Sequence, residues 1–138
     1  MRIFVPGAPP SKGSFRVFRN GGIANSSRAL GPWTKTARER AATLMGNEPP
    51  WREAAFGVTV WACFERPKGH FTRKGALKED APEHVLKKPD ADKTLRAVLD
   101  ALTGILYHDD SQVICSKVYK LWADEDFPAG TLIVAEKL

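Results

Sequence analysis

The most constraining feature of this chain is the run Phe56-Gly57-Val58-Thr59-Val60-Trp61-Ala62-Cys63-Phe64. Phe56, Val58, Val60, Ala62 and Phe64 fall on one face of a strand at period two, and the opposite face is nearly as apolar. Such a run predicts a central strand buried on both sides. With 138 residues the chain has material for one core and not for two ordinary domains, so residues 1–138 read as a single domain built round this strand.

The flanking segments supply partners. Residues 2–6 are a short apolar run stopped by Pro6 and the Pro9-Pro10 pair, which suits a first strand. Phe15 to Arg19 alternates and Ile23 to Asn25 returns after Asn20-Gly21-Gly22, predicting a small basic hairpin. Ala37, Ala41, Leu44 and Met45 share a helical face over residues 34–45, with Thr36 and Glu39 as a capping box and Gly46 as the stop. Leu95, Val98, Leu99, Leu102 and Leu106 make the clearest apolar stripe, ended by Gly104, with Asp92, Arg96 and Asp100 at i, i+4 and i+8 on the other side. Strands over 113–122 and 131–137 close the chain. The expectation is an α/β (α+β) domain: a mixed sheet packed by two main helices, a basic hairpin near the N-terminus, and a long basic loop over 66–89.

Charge is distributed unevenly along this order. The net +5 comprises 14 basic and 6 acidic residues in 1–80 against 7 basic and 10 acidic in 81–138. A basic chain with a carboxylate-rich second half fits a polyanion partner and a cation held between acids and phosphates. The histidines and the two cysteines, Cys63 and Cys115, have no zinc-ligand spacing, and the lone thiols read as buried residues of a reducing compartment. The N-terminal apolar run is too short for a signal peptide and no segment approaches ~18 apolar residues, so no membrane partner and a cytoplasmic location are expected. Gly7 to Ser14 is no phosphate cradle, because two prolines remove the amide donors one needs.

The chemistry concentrates around the second helix. Asp90 and Asp92 precede and open it, and Asp109-Asp110 follows it. Two residues apart within a helix would point about 200° from each other, but Pro89 allows Asp90 to be extended while Asp92 begins the first turn, so the two carboxylates can converge. Closure with Asp110 depends on the fold. Hard oxygen ligands without His or Cys select Mg²⁺, with Mn²⁺ as substitute, and the matching chemistry is phosphodiester hydrolysis. The competing reading makes Asp90 and Asp92 helix caps and Asp109-Asp110 a turn before a strand. His108, beside the acids, is either a base or ligand or a plain exposed turn residue.

The stretch Lys88-Pro-Asp90-Ala-Asp92-Lys-Thr-Leu-Arg96-Ala-Val-Leu-Asp100-Ala-Leu, continued by Asp109-Asp110-Ser-Gln-Val113, resembles the signature of the RusA-type Holliday junction resolvases, as does Pro9-Pro10-Ser11 with the basic hairpin after it. The resemblance implies a RusA-like fold and a bacterial or phage-encoded homodimer that resolves four-way DNA junctions by paired symmetric nicks with Mg²⁺, in recombination and repair. It places Asp90, Asp92 and Asp110 on the metal-binding catalytic carboxylates and Arg96 where the family usually carries a lysine. Arg96 keeps the charge without being tunable as a proton donor, which favours an electrostatic role. Lys93 stands where the family often has Asn, and the 66–89 loop is longer than in compact members.

Lys12, Arg16, Arg19, Arg73, Lys74, Lys87, Lys88 and Lys93, with the basic side of the first helix, are the candidate phosphate contacts, giving salt-sensitive and mostly sequence-independent binding. Phe71 is the candidate DNA-facing aromatic. The reading from another class is a module that binds branched or single-stranded DNA without cutting it.

Overall fold

In the computed structural model the described residues are 1–12, 15–17, 19–20, 23–25 and 30–138. Strands β1 (Arg2–Pro6), β4 (Phe56–Phe64), β5 (Val113–Trp122) and β6 (Gly130–Lys137) form one mixed sheet in the order β1-β6-β4-β5. β4 is central as its sequence demands: antiparallel to β6 on one side, parallel to β5 on the other. The predicted hairpin forms between β2 (Phe15–Val17) and β3 (Ile23–Asn25). Its Gly21-Gly22 turn lies outside the described residues. No helix among the described residues is long and apolar enough to cross a membrane.

Two helices cover one face of the sheet. α1 (Leu30–Met45) buries Trp33, Ala37 and Ala41, and α2 (Ala91–Leu102) buries Ala97, Val98, Ala101 and Leu102. They close on Ile3 and Val5 of β1, Val58 and Val60 of β4, and Ile133 and Ala135 of β6 in one cluster with Tyr107. Alanine at the contact positions lets the helix backbones approach closely, and burying each larger neighbour contributes roughly 1.5–3 kcal/mol.

Several expectations change. α1 starts at Leu30 rather than at residue 34, with Pro32 in its first turn where the missing N–H costs nothing. Thr36 and Glu39 therefore lie inside the helix and form no capping box; Thr36 Oγ1 instead donates to Pro32 O at 3.1 Å. Leu44 faces solvent and Trp33 takes its place in the stripe. Cys63 is buried, but Cys115 is exposed because it lies on the edge strand β5. β4 is fully covered only on the helix side; on the other, Thr59 and Trp61 are half-buried.

The 66–89 loop is an ordered excursion held at Trp122, the last residue of β5. Arg66 and Lys87 each lie 5.2 Å from the Trp122 ring centroid and His70 meets it edge-on at 5.1 Å. Arg66 also donates to Pro82 O at 2.9 Å, Lys120 Nζ donates to Lys87 O at 2.6 Å, and Val85 is buried with Ala62 and Phe64. The loop thus returns the chain to the start of α2 in a defined place.

At the start of β6, Gly130 is a close-approach position. A Cβ there would run into the Phe4 ring and meet the Val5 carbonyl oxygen at 2.7 Å. The side chain can turn away but the backbone oxygen cannot, so Gly130→Ala should cost about 1–3 kcal/mol and lower the Tm by several degrees in a calorimetric scan. An unchanged Tm would show that this contact carries no packing constraint.

Candidate active site

The first acidic pair is set by the way the chain enters α2. After the cis Lys88–Pro89 peptide, Asp90 is extended at φ −69° and ψ 150° and occupies the N-cap position, while Asp92 lies in the first helical turn. Asp90 is the N-cap by position only. Its carboxylate makes no capping bond and instead lies 3.4 Å from Lys93 Nζ. Asp92 and Arg96, one turn apart on the same exposed face, have no hydrogen-bond or ion-pair partner among the described residues.

The N-terminal segment is fastened along α2. The buried Thr94 Oγ1 donates to Pro10 O at 3.0 Å, Lys12 N donates to Lys93 O at 3.3 Å, and Lys12 Nζ is ion-paired with Asp100. Lys12, expected on phosphate, is therefore engaged with the protein. The basic side of α1 is engaged too. Arg38 donates to Ala101 O and Thr103 O, each at 3.0 Å, neutralising carbonyls at the C-terminal end of α2, and Arg40 donates to Phe4 O.

Beyond α2 the chain turns back under the helix. Leu99 O accepts from Thr103 N at 3.0 Å, Thr103 Oγ1 at 2.9 Å and the Tyr107 hydroxyl at 3.0 Å. Gly104, at φ 77°, makes the reversal and donates to Tyr107 O at 2.7 Å. Tyr107 is wholly buried and its ring packs 5.6 Å from that of Phe56. Burial pushes its hydroxyl pKa well up, and the negative charges of Asp110 and Asp100 push it further.

Asp109 and Asp110 divide their work. Asp109 caps the short 3₁₀ turn Asp110–Gln112: its carboxylate accepts from Ser111 N at 2.9 Å, and hydrogen bonding by the Ser111 side chain, then by this backbone N–H, holds its pKa below the usual carboxylate range. Gln112 completes the box. Its Oε1 accepts from His108 N and Asp109 N, and its Nε2 donates to Trp51 O and Ala54 O. Asp110 is exposed, with no such bond among the described residues. Sequence reasoning does not single out Gln112, although Asp109-x-x-Gln112 has the capping-box spacing.

The two acidic groups leave opposite ends of α2. Along the helix, Asp92 and Asp100 are separated by ~12 Å of rise. Accordingly, no group of three His, Cys, Asp or Glu among the described residues stands assembled as a metal cage. The donor set still suits Mg²⁺, which takes one or two carboxylates, keeps several waters and completes its shell with phosphate oxygens. Two carboxylates, Asp90 and Asp92, stand at the opening of α2.

The remaining predicted phosphate contacts are placed as follows. Arg19, Lys87 and Lys88 are exposed. Arg73 and Lys74 stand exposed at the tip of a turn closed by Thr72 N donating to Ala76 O at 2.7 Å. Lys93 is half-buried against Asp90. Arg16 is in β2, whose side chains lie outside the described residues. Phe71 is 36% exposed and bridges to Leu77, so it belongs to the loop's own packing as well as to its surface. His108 is exposed.

Comparison with known proteins adds to this geometry. One relative is the Uncharacterized protein YqaN of Bacillus subtilis (strain 168), 43% identical over 51 residues. That match covers 35% of this chain and 36% of the relative. The family described as Endodeoxyribonuclease RusA matches residues 6–133, from the end of β1 into β6 and through every element of the site. The chain therefore belongs to the RusA endodeoxyribonuclease family.

Proposed function

We propose that this protein is a Mg²⁺-dependent, structure-selective endodeoxyribonuclease that resolves four-way junctions by paired symmetric nicks, acting as a homodimer. The observation that carries the reading is the pair Asp90 and Asp92 at the opening of α2, Asp90 beside Lys93 and Asp92 without a side-chain partner among the described residues, with Arg96 likewise unpartnered there on the same face, in a chain of this family. Bound there, Mg²⁺ would polarise the scissile phosphate and lower the pKa of a coordinated water.

The chain's own residues do the rest. Asp90, Asp92 and Asp110 are the proposed acidic centre, Asp90 and Asp92 being the pair able to share one ion. Arg96 meets the phosphate oxygens and balances charge that develops as the P–O bond breaks. Thr94 and the Lys12–Asp100 pair fix the N-terminal segment against α2. Gln112 and Asp109 fix the turn that presents Asp110. Arg19, Arg73, Lys74, Lys87 and Lys88, with Arg16 from the hairpin, bind backbone phosphates, so neutralising any one of them lowers the salt dependence of binding.

The competing module reading keeps the basic surface and denies the chemistry. Adding Mg²⁺ to a preformed complex with a synthetic four-way junction separates the two: nicked strands fit the nuclease, unchanged DNA the module. Asp92→Asn should reduce the cutting rate roughly 100-fold or more while junction binding persists; a variant that cuts as fast as wild type removes Asp92 from the centre.

Asp109 and Asp110 make opposite predictions. Asn caps as well as Asp, so Asp109→Asn should keep the turn and most of the activity, whereas Asp110→Asn should lose it. The reverse ranking in the same assay would exchange their roles. Arg96→Lys should retain far more activity than Arg96→Gln, whose loss is expected at roughly 100-fold. Equal loss in both would mean that shape rather than charge matters there.

A further inference from the structure

Strand β1 is an edge of the sheet: β6 lies on one side of it and no strand of the described residues on the other. Which of its backbone groups face outward follows from the two ends of its pairing. Met1 O accepts from Ala135 N at 2.9 Å, and Gly7 N donates to Ala129 O at 3.2 Å. In an antiparallel ladder every second residue bonds its partner strand, so Ile3 and Val5 face β6 while the N–H and C=O of Arg2 and Phe4 point away from it. Of these four outward groups only Phe4 O has a partner among the described residues, the Arg40 guanidinium.

Helix α1 runs beside this edge, and between the two lies a groove of about 360 Å³. Arg2, Ile3 and Phe4 form one wall, and Glu39, Arg40 and Leu44 form most of the other. Leu44 is 58% exposed there. The Arg2 guanidinium is exposed and has no partner among the described residues, and Arg40 keeps donors beyond the one on Phe4 O. Glu39, the acid of the groove, has Lys35 Nζ 4.0 Å away. An edge strand with open backbone groups, facing a helix that displays an apolar side chain, has the geometry that captures an extended peptide by strand addition.

We propose that this groove binds an extended acidic peptide of a partner protein, laid beside β1 as a further strand of the sheet. The peptide backbone bonds Arg2 N–H, Arg2 O and Phe4 N–H, one apolar side chain covers Leu44, and carboxylates meet Arg2 and Arg40. Charge and backbone chemistry select this occupant. A second copy paired β1 to β1 would bring the Arg2 and Arg40 side chains of both chains into one groove, where like charges repel. DNA has no amide backbone to pair with the edge, and two arginines over an apolar floor make few of the phosphate contacts on which duplex binding rests. Because Arg40 occupies Phe4 O, the open template ends there, so the recognised segment is short and its affinity micromolar rather than tighter. The proposal uses none of the residues assigned to cutting, and stands or falls apart from the nuclease reading.

The test titrates the full ¹⁵N-labelled chain with a short synthetic peptide that alternates aspartate with leucine, followed by amide cross-peaks and, for a fluorescein-labelled copy, by anisotropy. The Arg2 and Phe4 amides should shift and exchange more slowly with solvent as the peptide binds. Leu44→Glu and Arg2→Glu, both at exposed positions, should each weaken binding roughly tenfold or more in Kd with unchanged far-UV circular dichroism. The same peptide N-methylated along its backbone should not bind. A wild-type chain that ignores the peptide, equal binding of the N-methylated peptide, or full affinity in Leu44→Glu would overturn the assignment. So would displacement of the peptide by a four-way junction, which gives the groove to DNA, or a change in the oligomeric state of the free chain on Leu44→Glu, which gives it to a second copy.

Discussion

The parallel pairing of β4 with β5, nine positions in register from Phe56↔Val113 to Phe64↔Trp122 with one irregularity at Phe56/Gly57, is the constraint on which the rest of the structure depends. Two parallel neighbours cannot be joined by a tight turn, so the chain must cross back over the sheet, and α2 is that return. The crossing explains why the acids fall into two groups. Asp90 and Asp92 sit where the return begins, and Asp109 and Asp110 sit where β5 is about to start. Tyr107 locks the far end, with its ring under the sheet-facing cluster and its hydroxyl on Leu99 O.

The charges separate in a similar way. Several cations that composition alone offers to DNA are engaged inside the protein: Lys12 on Asp100, Arg38 on the end of α2, Arg40 on Phe4 O, and Arg66 on Pro82 O. A partly exposed ion pair such as Lys12–Asp100 contributes little stability, about 0–1 kcal/mol at most. Its consequence is positional, because it holds residues 10–12 alongside the helix that carries Asp92 and Arg96. Among the predicted phosphate contacts, those exposed in the described residues are Arg19 and, in the 66–89 loop, Arg73, Lys74, Lys87 and Lys88, all ahead of α2 in sequence.

How far the sequence can be read follows from whether each feature depends on local or distant residues. The stripe of α2, the doubly apolar run of β4, and an extended Asp90 before a helical Asp92 are all set within a few residues, and all are legible. The start of α1 is not, because Pro32 looks like a boundary although a first helical turn accepts it. Residue type points Leu44 and Cys115 to the interior, yet their exposure is decided by which face of a helix or sheet lacks a neighbour. The order of the 66–89 loop is illegible for the same reason: it rests on Trp122, more than thirty residues further on, with no periodicity to announce it. Whether Asp110 joins Asp92 is likewise a matter of tertiary structure, beyond what local pattern can indicate.

The proposed activity is metal-dependent cutting of two strands at an acidic centre that includes Asp90 and Asp92 at the opening of α2. The most direct measurement incubates wild-type protein with an end-labelled four-way junction over a Mg²⁺ titration and maps every nick on all four strands. Two nicks at symmetry-related positions on opposite strands, appearing with Mg²⁺ and abolished by chelation, are the predicted result. A junction that is bound at every Mg²⁺ concentration and never nicked would contradict it.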